Sequence, residues 1–204
     1  MAGVPRLCIA QDDAADALLA RDPFALLVGM LLDQQFPMER AFAGPALIAE
    51  RLGADHLDPA AVAAADPEEF VRLMTGPPAV HRYPGSMAAR VQALAGLVQE
   101  RYGGDASRLW LEAADGADLL ARLRALPGFG DQKARIFVAL LGKQLGVRPP
   151  GWREAAGSYA DDDARRSIAD VTGPETLQEV RAFKQATKRA AREAGAQQPG
   201  AALP

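Results

Sequence analysis

Apolar residues recur three and four positions apart through most of the chain, and nowhere do they alternate with the period of a β-strand. The stretches 14–20, 23–34, 39–52, 67–75, 85–101, 116–125, 131–145 and 174–192 each carry this spacing, which lays an apolar face along a helix. The pattern therefore predicts an all-α protein. Start and stop signals fall where the periodicity begins and ends. "ADPEEF" (65–70) and "GPETLQEV" (173–180) put proline at a first helical position with acids in the first turn, and Gly53, Gly103 and Gly146 stand where helices should stop. There is no internal repeat. The tail "AGAQQPGAALP" (194–204) has too few large apolar groups to be expected to order.

One break in the pattern has a composition of its own. In "LPGFGDQKA" (126–134) two glycines stand one residue apart behind a proline, between a helix carrying Leu119, Leu120 and Leu123 and another carrying Ile136, Phe137, Leu140 and Leu141. This is the pattern of a helical hairpin, with Phe129 placed to plug the corner. Gly128 and Gly130 permit a positive φ and a close backbone approach, and the next helix opens with free N–H groups at the positive end of its dipole. Such a turn can hold a phosphate without side-chain charge; a tight corner in which glycine serves geometry alone is the competing reading.

Charge distribution bears on the choice without deciding it. The chain of 204 residues has a net charge of −3, but residues 1–70 hold four Arg against twelve Asp and Glu. Residues 121–153 hold Arg122, Arg124, Lys133, Arg135, Lys143, Arg148 and Arg153 against Asp131 alone. A positive field around a backbone anion site fits a nucleic-acid binder, whereas a solvated basic helix face is the plainer alternative. The single Cys8 excludes a disulfide framework and a multi-thiolate cluster, and His56 and His81 are too far apart for a local metal motif, so no metal site built from side chains is expected. The longest apolar run, "FALLVGMLL" (24–32), is far short of the roughly 20 residues of a membrane span, and no secretory segment is evident, so a cytoplasmic protein without membrane contact is expected.

"LPGFGDQKA" resembles the helix–hairpin–helix of the base-excision DNA glycosylases related to endonuclease III and 3-methyladenine DNA glycosylase II. "LLVGMLLDQQ" (26–35) is similar to their buried helix ending in a glutamine-bearing turn, and "YPGSMAARVQALAGLV" (83–98) to a later helix, in the same order along the chain. The resemblance implies a two-lobed helix–hairpin–helix glycosylase fold. Residues 22–133 would form a six-helix barrel ending in the hairpin, residues 1–21 plus 134–193 the second lobe, and 194–204 a disordered tail. It further implies that a monomer binds double-stranded DNA containing a damaged base. Gly128, Gly130 and the N–H groups of Gln132 and Lys133 would grip a phosphate, an alkali cation would sit at the hairpin backbone, and the Lys133 side chain would add a phosphate contact. Gln34 and Gln35 would fill the gap left by a nucleotide turned out of the duplex, with capping of the preceding helix as the alternative.

The chain departs from the family at the chemistry. The aspartate that family members carry after the hairpin's second helix is missing from "RPPGWREAAG" (148–157), and Gln132 occupies the place of the lysine nucleophile of the bifunctional enzymes. Lys133 points about 100° further round the helix. A monofunctional DNA N-glycosylase acting on a damaged base, such as an alkylated purine, without cofactor or iron–sulfur cluster, is the expectation. Glu154 is the candidate carboxylate, Asp161, Asp162 and Asp163 its substitutes, and Trp152 the candidate base-stacking residue or else a core filler. A non-catalytic DNA lesion or structure binder and, more remotely, a protein-interaction scaffold are the alternatives.

Overall fold

The acids of the N-terminal half are largely helix starts. In a computed structural model that describes residues 6–196, Asp12, Asp22, Asp58, Asp66 and Asp115 each accept an N–H from the first turn of the helix that follows, relieving donors the helix itself leaves unpaired. The helices so opened are α1 (Asp13–Arg21), α2 (Pro23–Leu32), α4 (Pro59–Ala64), α5 (Pro67–Thr75) and α8 (Gly116–Arg124). The others are α3 (Met38–Arg51), α6 (Pro84–Tyr102), α7 (Arg108–Leu111), α9 (Asp131–Gln144), α10 (Trp152–Ala156) and α11 (Pro174–Ala196). Two 3₁₀ turns lie at Gly157–Ala160 and Ile168–Asp170. The described residues contain no strand, and none of their helices is long and apolar enough to cross a membrane.

Two helices organise the packing. In α2 every residue from Phe24 to Leu32 is buried, because α1, α3 and α6 enclose it. Gly29 lets α3 approach so closely that a Cβ there would lie 2.7 Å from the Phe42 ring. The second organiser, α9, packs against α8, α10 and both 3₁₀ turns. One apolar core runs through both groups, from Leu7 to Val180.

At its N-terminal end the chain joins the group around α2. Residues 13–21 pack on α2 and α3. Asp22 is at once the C-cap of α1 and the N-cap of α2, and its second carboxylate oxygen accepts from Leu57 N–H at 2.7 Å, which fixes the angle between the two helices. The tail expectation shifts: α11 continues through Ala196, and residues 197–204 lie outside the described residues.

Candidate nucleic-acid interface

The α8–α9 hairpin is tightened by backbone bonds from Leu126 to Leu123 and from Phe129 to Leu126. Phe129 is buried against Phe137, their ring centroids 6.0 Å apart. The two glycines have different duties. Gly128 has φ +77°, and a Cβ there would stand 2.5 Å from Leu31 Cδ1, so backbone conformation and the approach of α2 both demand glycine. Gly130, with φ −76°, is the N-cap of α9, and a Cβ there would meet open space. It supplies no side-chain cap. Among the described residues the N–H groups of Asp131, Gln132 and Lys133 have no acceptor within the chain.

Asp131 does not cancel this positive end. Its carboxylate is shared between Arg135, at 2.9 Å, and Arg124, whose guanidinium groups hold its pKa below the ordinary carboxylate value. One anion between two cations leaves the hairpin tip positive.

Beside the hairpin lies a cleft of about 650 Å³, between the end of α2, the first turns of α9 and the C-terminal half of α11. Gln35, Gln132 and Lys133 line it. Its apolar surface comes from Met30, Phe36, Ile136 and Phe183, and its charge from Lys133, Arg166, Lys184 and Lys188 against one acid, Asp33. An apolar surface ringed by cations suits a base attached to a phosphodiester backbone. Gln132 donates to the Tyr159 hydroxyl at 3.0 Å on the cleft wall.

The sequence-read residues divide on inspection. Gln35 is exposed at the rim with a left-handed backbone, φ +51°, a strained conformation for a residue with a side chain. Gln34 is half-buried: its amide donates to Leu31 O at 2.7 Å and accepts from Arg90 at 2.9 Å, so both ends of the amide are engaged within the protein. Lys133 also needs correction as a phosphate contact. Its ammonium donates to the Met30 and Leu31 carbonyls, at 2.6 and 3.1 Å, because the carbonyl end of α2 abuts it and offers unpaired acceptors at the negative end of the dipole. Burial lowers its pKa to about 8.

Trp152 and Glu154 lie away from the cleft. Trp152 is 8% exposed and lies so close to Gly142 of α9 that a Cβ there would overlap its ring, while Arg153 and Arg148 stack over it at 4.8 and 6.0 Å. It borders a separate cavity of about 290 Å³. With Trp152, Ala155 and Ala156 facing inward, α10 leaves Glu154 exposed to solvent. Glu154 does not pair with either neighbouring arginine: Arg153 bonds Asp162 at 3.0 Å and Arg148 bonds the Gly142 carbonyl at 2.8 Å. Nor do Asp161, Asp162 and Asp163 line the cleft. The site residues missed in the sequence are Asp33, Tyr159, Arg166, Phe183, Lys184 and Lys188. Of these only Asp33 carried a local signal, an acid closing a helix that is otherwise apolar.

The Gln34–Gln35 turn is held from behind by His81, which is 1% exposed. Tyr83 N–H donates to Nδ1 at 3.0 Å, so the proton resides on Nε2, which donates to the Gln34 carbonyl at 3.1 Å. Burial lowers the His81 pKa below its ordinary 6.5, and nearby Lys133 and Arg90 act in the same direction. The unfolded chain therefore binds the His81 proton first on acidification, and the stability this group contributes is present above pH 6.5 and lost as pH falls through the depressed folded value. His81→Asn is expected to lose about 1–3 kcal/mol at neutral pH by unpairing buried groups. The deficit against the parent should narrow between pH 7 and pH 5. Urea midpoints at both pH values test this, and a deficit constant with pH would sink it. His56, shifted up by the adjacent Asp55, is common to both proteins and cancels.

Comparison of the chain with protein-family models, curated proteins and solved structures finds no match.

Proposed function

We propose that this protein is a DNA-binding base-excision N-glycosylase. The hairpin grips a backbone phosphate of damaged double-stranded DNA, and the cleft receives a nucleotide turned out of the stack. One observation carries the reading: the uncapped first turn of α9 that offers free N–H groups to an anion also supplies Gln132 and Lys133 to the wall of a basic, apolar-lined cleft. In this reading the helices around α2 and those around α9 are the two lobes of a helix–hairpin–helix glycosylase, and an alkali cation, if bound, would sit at the hairpin backbone and add positive charge beside the phosphate. Gln35 enters the space left by the extruded nucleotide.

The chemistry falls to Asp33. It is the one carboxylate among the described residues lining the cleft, and its charge favours the ammonium form of Lys133. It closes α2 at the negative end of the helix dipole, where an acid is unfavourable, and the neighbouring Lys133 ammonium offsets that cost. As the C1′–N bond breaks, its electron pair leaves with the base, and Asp33 stabilises the positive charge that develops on the sugar. Water then adds to C1′, giving its proton to Asp33 while the departing base is protonated by solvent. Gln132 carries no amine, and the amine of Lys133 is engaged by the Met30 and Leu31 carbonyls, so this reading includes no lyase step. The second reading, a DNA lesion or structure binder without chemistry, draws on the absence of Glu154 and of Asp161–Asp163 from the cleft.

Gly130→Ala tests the hairpin. Its φ suits alanine and its Cβ would enter open space, so thermal stability should hold, while a methyl group at the anion site should weaken duplex binding roughly tenfold, about 1.4 kcal/mol. Equal duplex affinity of variant and parent in a fluorescence-anisotropy titration would remove the hairpin from the proposal.

A further inference from the structure

The C-terminal half of α11 is difficult to explain as a packed helix. Leu177 and Val180 bury its first turns, and Arg181 pairs with Glu39 of α3. From Ala182 to Glu193 every residue is exposed. A helix that buries nothing must be held by propensity and side-chain pairs, and this stretch offers one favourable ion pair, Arg189 to Glu193 at 2.8 Å. The cations are otherwise unbalanced: Lys184, Lys188, Arg189 and Arg192 stand against Glu193 alone.

Their placement is uneven too. Lys184 and Lys188 are one turn apart on the face that walls the cleft, with Thr187 and Ala191 beside them. Like charges at this spacing repel, and here they also face Arg166 and Lys133 across the cleft. Asp33 is the one carboxylate among the described residues lining the cleft to offset these four cations, and an entering anion would relieve the repulsion that remains. Phe183, 41% exposed on the same wall, has the Arg166 guanidinium 5.8 Å from its ring centre, leaving an aromatic surface open to a planar partner.

We infer that α11 beyond Val180 is a second nucleic-acid contact, an arm whose Lys184 and Lys188 hold the phosphodiester backbone of an unpaired DNA stretch while Phe183 stacks against one of its bases. The inference rests on the DNA-binding reading above and adds a second grip, across the cleft from the hairpin. The ion pair of Arg181 with Glu39 and the contact of Lys184 with Met38 Sδ at 4.0 Å fix the arm where it leaves the body of the protein. An acidic protein would match the charge but has no use for an exposed aromatic beside it. A nucleic acid with separated bases matches both.

The test compares the parent, Lys184→Gln/Lys188→Gln, Phe183→Ala and Gly130→Ala. Affinity is measured against salt for an intact duplex and for the same duplex with a single-nucleotide gap, and thermal midpoints establish folding. Both lysines are exposed, so the double variant should fold as the parent does. It should flatten the dependence of log affinity on log salt by about 1.4 to 1.8, two phosphate contacts' worth. Phe183→Ala should weaken the gapped duplex severalfold more than the intact one, about 1–3 kcal/mol per lost stack being the usual scale. A parent that binds DNA while the lysine variant keeps its salt slope overturns the arm and leaves the hairpin reading in place. So does a Phe183→Ala loss equal on both duplexes. A parent that binds neither duplex overturns both proposals together.

Discussion

Asp33→Asn is expected to slow single-turnover base release by about 10²-fold or more while DNA affinity stays level or rises. The two directions follow from one change. On the proposed reading, removing the negative charge takes away the group that stabilises a developing sugar cation, and it also makes the cleft more positive. Protein stability should move little, because two effects oppose: the charge leaves the negative end of α2, where it is unfavourable by up to about 1 kcal/mol, and the Lys133 ammonium loses the anion that favours it. A structural acid would behave oppositely, losing stability and activity together. The substrate is whichever duplex, from a set each bearing one defined lesion, the parent acts on fastest, with abasic sites revealed by alkaline cleavage. Glu154→Gln serves as the control and should release base at the parental rate, since Glu154 faces solvent away from the cleft. Base release by Asp33→Asn at the parental rate excludes Asp33. If the parent releases no base from any duplex, the binder reading replaces the enzyme.

The long helices were legible because their apolar spacing persists over several turns. Those missed, α4, α7 and α10, have six, four and five residues and end before a period can repeat. The hairpin was legible because Gly128 has no substitute there: a positive φ and the neighbouring Leu31 side chain both demand it. Its companion Gly130 has no such conformational reason, and this difference makes Gly130 the sharper probe of function. The cleft was largely illegible. Its walls come from α2, the turn after it, α9, the segment 158–166 and α11, and no local spacing announces that these converge. Glu154 was misplaced for a related reason. Its candidacy rested on distance along the chain from the hairpin, but the start of α10 behind Gly151, at φ +74°, turns Trp152 inward and residue 154 outward. Lys133 shows the limit of reading a charge without its neighbours. Basic residues near a phosphate site suggest contact, yet this one is satisfied by two carbonyls of α2, more than ninety positions earlier in the chain.

Asp170→Ala is expected to cost about 3–5 kcal/mol of stability, the usual penalty for breaking a buried ion pair from one side. Asp170 has a fully buried carboxylate that pairs with the Lys143 ammonium, itself 13% exposed. The other carboxylate oxygen accepts from Arg166 N–H at 2.8 Å and Ser167 N–H at 3.1 Å, closing the capping box of the second 3₁₀ turn. Truncation would leave the charged amine with only the Asp161 and Tyr159 carbonyls and would unpair two backbone donors, and a thermal midpoint about 10 °C lower is the expected reading for a chain of this size. Lys143→Met/Asp170→Leu should recover part of the loss by removing the charge along with its partner. The opposing effect is hydration: both residues border the cavity of about 290 Å³, and water entering it could solvate the freed ammonium. A cost below about 1 kcal/mol would mean that hydration wins and that the pair is not an anchor. The distinction reaches DNA binding, because this turn sits between α9 and the start of α11, with Gln144 donating to the Ile168, Ala169 and Val171 carbonyls. If the pair is the anchor, Asp170→Ala loosens the base of the α11 arm and flattens the salt dependence of DNA affinity at temperatures where the protein is still folded. If Gln144 alone suffices to hold the turn, stability falls and the salt dependence stays as in the parent.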